Sequence, residues 1–136
     1  MHHLNTIAMK NTKVHIQDLH DDHAMWINEL GFFNQQLDFF KRRLEEVVQR
    51  YTNNDILKEV EFFQNQFIIQ KEVLQTLMHH FKVEEQKLSN LAIQHPVAID
   101  RVLFEDHPTE RDKMKQFVTI YQDLRDKYLL FLERYM

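Results

Sequence analysis

Between residues 16 and 51 the sequence repeats apolar side chains at alternating steps of three and four, and this repeat constrains the fold more than any other feature. The positions on it are Ile16, Leu19, His23, Trp26, Leu30, Phe33, Leu37, Phe40, Leu44, Val47 and Tyr51. Such a heptad seam predicts a long α-helix that packs along its length against partner helices. His23 is a titratable residue at a position where the pattern asks for an apolar side chain.

A second seam follows the short turn at residues 52–55. Its members are Ile56, Val60, Phe63, Phe67, Gln70, Leu74, Leu77, Phe81, Glu84, Leu88 and Leu91. We therefore expect helices over 15–51 and 55–91, with the second returning antiparallel to the first because the turn is so short. If Tyr51 faces Ile56, counting along both helices gives the facing pairs Phe40–Phe67, Trp26–Phe81 and His23–Glu84.

The third seam predicts a helix over 109–135. It reads Met114, Phe117, Tyr121, Leu124, Tyr128, Phe131 and Tyr135. His95-Pro96 ends the second helix, because the residue before proline is disfavoured in the helical region. Residues 92–108 are expected to form a connection that covers one end of the bundle, with a short helix in 97–104.

The fold class predicted is all-α: an antiparallel bundle of three long helices in one domain, residues 15–136, preceded by a loose N-terminal arm, residues 1–14.

The composition of the chain limits its class further. A chain of 136 residues can bury a core without disulfide or metal crosslinks, and one Gly and two Pro leave few residues suited to β-turns or phosphate-binding loops. With a net charge of −4, the chain has no excess of positive charge that would attract nucleic acid. Cysteine is absent, which excludes disulfides and thiolate chemistry. With no apolar run long enough for a membrane and no signal peptide, a cytoplasmic protein is expected.

A second apolar stripe runs along the predicted outer faces of the first two helices. Its members are Met25, Phe32, Phe39, Phe62 and Ile69, with Ile68 and Val83 beside them. Apolar groups of this size left in water usually mark an interface. We expect them to meet a second copy of the chain, giving a homodimer; the alternative is cover by residues 1–14.

No histidine lies between His23 and His79 or after His107, so the folded hairpin is expected to gather all nine histidines at one end of the bundle, apart from any movement of the free arm that carries His2 and His3. The candidate metal ligands there are His20, His23, His80, Glu84, His107 and Glu110. Imidazole and carboxylate side chains suit iron, zinc or manganese. The alternative is a structural layer in which His and Glu satisfy each other by hydrogen bonds.

Two families of metal-binding bundles offer a comparison. The segment His80-x-x-x-Glu84 resembles one half of the hemerythrin-like motif, but the chain contains no His-x-x-x-His. The Glu-x-x-His repeats of ferritin-like di-iron proteins do not occur either. The resemblance therefore covers a few residues and implies no shared chemistry.

Two functional hypotheses follow from the sequence. The first is a helical-bundle scaffold or interaction protein without catalysis, carrying a buried His/Glu layer. The second is a metal-binding helical protein, for example an oxidoreductase or a metal sensor, that uses His23, Glu84 and a ligand from the third helix. Near-stoichiometric metal in protein purified without an affinity tag would favour the second.

Overall fold

The computed structural model describes residues 13–96, 99 and 103–136. In chain order the elements are strand β1 (Lys13–His15), helix α1 (Ile16–Arg50), helix α2 (Asn54–Gln94), strand β2 (Leu103–Glu105) and helix α3 (Pro108–Tyr135). The three helices form a helical bundle, which confirms the predicted all-α class. None of the helices that the structure describes has a stretch long and apolar enough to cross a membrane.

The helix starts follow from local side-chain chemistry. At the start of α1, the Asp18 carboxylate accepts a hydrogen bond of 3.1 Å from the backbone N–H of His15. At the start of α2, the Asn53 side chain accepts from the backbone N–H of Asp55 at 2.8 Å. Pro108 occupies the first position of α3, where its missing N–H costs nothing.

The predicted seams form the core. On α1, the ten positions from Ile16 to Val47 that carry the repeat are buried, and on α3 so are the six from Met114 to Phe131. On α2, burial of the seam runs from Val60 to Phe81. Glu84 on the same seam is partly exposed.

The chain divides into two compact units, each built from segments of all three helices. Unit 1 comprises the described residues up to Glu29 together with those of Leu77–Lys115. Unit 2 comprises Leu30–Thr76 and Gln116–Met136.

Each unit contains one of the predicted facing pairs in contact. In unit 1 the ring centroids of Trp26 and Phe81 lie 4.9 Å apart. In unit 2 those of Phe40 and Phe67 lie 6.0 Å apart, and Tyr128 donates a 2.8 Å hydrogen bond to the backbone carbonyl of Phe40. The predicted register is therefore correct at these two pairs, while the antiparallel order of the whole bundle stays a prediction.

The two strands correct the expectation from the sequence. β1 pairs antiparallel with β2, with Val14 opposite Phe104, and Lys13 forms an ion pair with Glu105. The sequence pattern places residues 13 and 14 in the loose arm, and 103 and 104 in a short helix, and both expectations are wrong. Three-residue strands are too short to show an alternating pattern, and each is stabilised by a partner far away in the sequence. The rest of the predicted arm, residues 1–12, and residues 97, 98 and 100–102 of the connection lie outside the described residues.

Candidate functional site

Every histidine that the structure describes lies in unit 1. Several of them pair with carboxylates, and we call this group the polar cluster. It consists of His20, Asp22, His23, His80, Glu85, Asp106, His107, Glu110 and Arg111. The sequence predicts that the histidines gather in one region, and those that the structure describes do share one unit.

His23 is the most deeply buried member, with 3% of its surface exposed. Its Nδ1 lies 3.1 Å from Oε1 of Glu85, and the other oxygen of that carboxylate pairs with Nδ1 of His20. Because an ionised carboxylate can only accept, the proton of this hydrogen bond belongs to His23 Nδ1. One carboxylate on α2 therefore holds two imidazoles of α1, and we call His20, His23 and Glu85 the first half of the polar cluster.

The pairing of His23 with Glu84 is wrong by one residue. Glu84 instead pairs with Lys87 at 3.1 Å, on the partly exposed side of α2. Each residue of an α-helix is rotated by about 100° from the one before it. Viewed along the axis of α2, Glu84 therefore lies about 60° to one side of Phe81, and Glu85 about 40° to the other side. The heptad count selected position 84, whereas the 3.6-residue helical period brings position 85 to the side that faces His23.

The second half of the polar cluster consists of Asp22, Asp106, His107 and Arg111, and it joins α1 to the start of α3. Nε2 of His107 lies 2.8 Å from Oδ2 of Asp22. Arg111, in the first turn of α3, donates two hydrogen bonds to Asp106, at 2.8 and 3.0 Å. The same guanidinium lies 3.6 Å from Asp22.

Aromatic rings hold the two histidines of these halves in place. The ring centroids of His23 and His107 are 5.2 Å apart. Trp26 packs against His107 at 4.9 Å and against Phe81 at 4.9 Å. Because these rings are tightly packed, both imidazoles have restricted orientations, and their polar atoms are directed at fixed partners.

The electrostatics of the second half favour charged side chains. The hydrogen bonds from Arg111 hold the pKa of Asp106 below its ordinary value, against the opposing effect of burial. Those same bonds raise the pKa of Arg111. Asp106 is therefore ionised, although its side chain is only 10% exposed.

The remaining predicted residues also meet. Nε2 of His80 lies 3.5 Å from Oε1 of Glu110, and within the described residues this buried atom makes no hydrogen bond. Of the six candidate ligands, the structure brings His20 and His23 to Glu85, His80 to Glu110, and His107 to Asp22, while Glu84 is directed elsewhere. Their assignment as metal ligands stays a prediction.

Sequence reasoning missed Glu85, Asp22, Asp106 and Arg111. Asp22 and Asp106 are each the immediate neighbour of a candidate histidine, and that adjacency could have marked them. Asp22, Asp106 and His107 each offer one ligand atom, and these atoms lie within 4.8 Å of one another. Among the described residues, this is the one group of three potential metal ligands that lie so close together.

A cleft of about 240 Å³ lies beside the first half of the polar cluster. Its lining has a polar part, Gln17, His20, Glu85 and Ser89, and an apolar part, Ile16, Leu88, Ala92 and Ile99. Because Glu85 is already bound by two imidazoles, its carboxylate is not free to bind an incoming molecule.

Comparison of the chain with protein-family models, with curated proteins and with solved structures gave no match.

Proposed function

We propose that this small helical protein acts by association rather than by catalysis, and that its partner is a second copy of the same chain. The observation that carries the proposal is the exposure of large apolar side chains at the positions of the second stripe. Their exposed fractions are 56% for Met25, 58% for Phe32, 50% for Phe39, 49% for Phe62 and 47% for Ile69.

The size of this surface supports an interface. A phenylalanine presents roughly 200 Å² of surface, so each of the three phenylalanines leaves about 100 Å² in water. At about 25 cal/mol per Å², burying the three on both chains would contribute about 15 kcal/mol before the costs of association. Those costs are about 4–15 kcal/mol, so that an interface centred on these rings can be stable.

The spacing and the charges favour a second copy of the chain as the partner. Met25, Phe32 and Phe39 recur every seven residues, which is the pattern of a helix face that packs along another helix. Basic and acidic side chains lie close together beside them, as in the run Lys41–Glu46, where three basic residues are followed by two acidic ones. A surface of mixed sign can meet its own copy with opposite charges facing, which a strongly acidic or basic surface cannot do.

In this function the first half of the polar cluster is structural. The hydrogen bond from His23 to Glu85 fixes how α1 and α2 align within unit 1, because a slip of either helix would leave a buried polar group without its partner. A buried polar pair of this kind specifies one packing arrangement among several apolar alternatives.

The experiment is a double substitution in unit 2, Phe32→Glu with Ile69→Glu. We expect the native chain to sediment as a dimer at micromolar concentration, and the variant as a monomer with unchanged helical circular dichroism. The matched control is Gln49→Glu with Gln75→Glu, which adds the same charges at exposed positions of the same helices, away from the stripe; it should remain a dimer.

Two outcomes contradict the proposal. A native protein that is monomeric at these concentrations would show that no second copy covers the stripe. If that monomer becomes a dimer when residues 1–12 are deleted, these residues are the occupant instead.

A further inference from the structure

We propose that Asp22, Asp106 and His107 bind a divalent transition-metal ion. Asp22 extends from α1, and Asp106 and His107 immediately precede α3. The proposal concerns the second half of the polar cluster and is independent of association through the apolar stripe.

The donor atoms are arranged for one ion. One atom from each of the three residues lies within 4.8 Å of the others, and Nε2 of His107 is 2.8 Å from Oδ2 of Asp22. Ligands about 2.0–2.2 Å from a common ion are separated from each other by roughly 3–3.5 Å. Small rotations of two aspartate side chains therefore suffice to bring all three donors onto an ion.

The net charge of the group is negative and therefore favours binding of a cation. Asp22 and Asp106 carry two negative charges, and Arg111 supplies one positive charge to both. One negative charge remains when His107 is neutral. A divalent ion bound by a neutral imidazole and two carboxylates would take the place of Arg111 at Asp106, and the guanidinium is able to leave because its side chain is 41% exposed.

The surroundings orient the imidazole for this role. The ring of His107 packs against both Trp26 and His23, and its side chain is 12% exposed. Asp22 is 28% exposed, so that water can reach the donor set and complete the coordination of an ion. Two carboxylates and one imidazole are a mixed donor set that suits manganese, iron(II) or zinc.

The test titrates Zn²⁺ into the full chain by isothermal calorimetry. The background carries His2→Ala and His3→Ala, because these two residues offer imidazoles outside the described part of the chain. We expect one Zn²⁺ per chain in this background. His107→Ala should weaken the affinity by about tenfold or more, and so should Asp22→Asn, which preserves the side-chain shape and decides the matter if His107→Ala does not fold.

The variant Arg111→Gln distinguishes a metal site from an ion-pair network that is only structural. In that variant the guanidinium no longer competes for Asp106, so that Zn²⁺ affinity should rise several-fold. His20→Ala is the matched control, since it removes an imidazole of the same polar cluster that lies outside the proposed ligands, and it should leave the affinity unchanged.

The proposal is overturned by any of three results: no saturable Zn²⁺ binding in the background protein, unchanged binding when Asp22 is replaced, or an affinity in Arg111→Gln that is equal to or weaker than that of the background. A loss of binding in His20→Ala as large as that in Asp22→Asn would also overturn it, because the ion would then lie in the other half of the polar cluster.

Discussion

Replacing Glu85 by leucine tests the core of the polar cluster, because Glu85 is the acceptor for a histidine that has almost no access to water. The side chain of His23 is 4% exposed, and its Nδ1 lies 3.1 Å from the carboxylate. Without that acceptor a buried N–H loses its hydrogen bond, at a cost of about 1–3 kcal/mol. Leucine is close to glutamate in volume and creates little cavity. We therefore expect the free energy of unfolding to fall by about 2 kcal/mol.

The same change at Glu84 is the control. Glu84 is 36% exposed and its partner is Lys87, one turn away on the same helix. Surface ion pairs contribute about 0–1 kcal/mol, so Glu84→Leu should change the free energy of unfolding by no more than about 0.5 kcal/mol. Urea unfolding followed by circular dichroism and by the fluorescence of Trp26 gives both values.

A double-mutant cycle separates the pair from its surroundings. In His23→Leu the carboxylate of Glu85 keeps His20 as a partner and is 22% exposed, so the single change should cost less than Glu85→Leu. His23→Leu combined with Glu85→Leu should recover most of the loss, because no buried polar group is then left unpaired. If Glu84→Leu destabilises the protein more than Glu85→Leu, α2 presents its other side to His23, and Glu85 is not the partner of that histidine.

Two further predictions concern unit 2. Tyr128→Phe removes the 2.8 Å hydrogen bond to the carbonyl of Phe40 and should lower the free energy of unfolding by about 1–2 kcal/mol in urea. Burial raises the pKa of the Tyr128 hydroxyl above its ordinary 10.0, so the stabilisation that Tyr128 contributes is complete below pH 10 and declines as the pH rises further. The urea midpoint of Tyr128→Phe should therefore fall less steeply with rising alkaline pH than the midpoint of the native protein. An equal fall in the two proteins would contradict this. Asp38 and Lys71 form an ion pair between α1 and α2, so a carbodiimide should couple these two side chains as an amide within one chain, and Asp38→Asn should remove that crosslink in a peptide map. If Asp38 couples to another lysine instead of Lys71, this alignment of the helices is excluded.

The sequence alone was sufficient for the three helices and for most of their buried faces. A heptad repeat records which side of a helix meets the core, and the α1 seam from Ile16 to Val47 and the α3 seam from Met114 to Phe131 are buried where the repeat placed them. The turn at Asn53 and the proline at position 108 set helix starts close to the expected ones, because capping is a property of a few adjacent residues. The burial of His23 also followed from its place on the seam.

The tertiary structure decided which polar atoms meet. His23 binds Glu85 rather than Glu84, because a real helix turns every 3.6 residues and a heptad count drifts by a fraction of a turn over a long seam. His107 reaches Asp22, and β1 reaches β2, across most of the chain. Such pairs leave no periodic trace in the sequence, since they depend on how separate elements pack together; the donor set of Asp22, Asp106 and His107 becomes visible only once α1 and the start of α3 lie side by side.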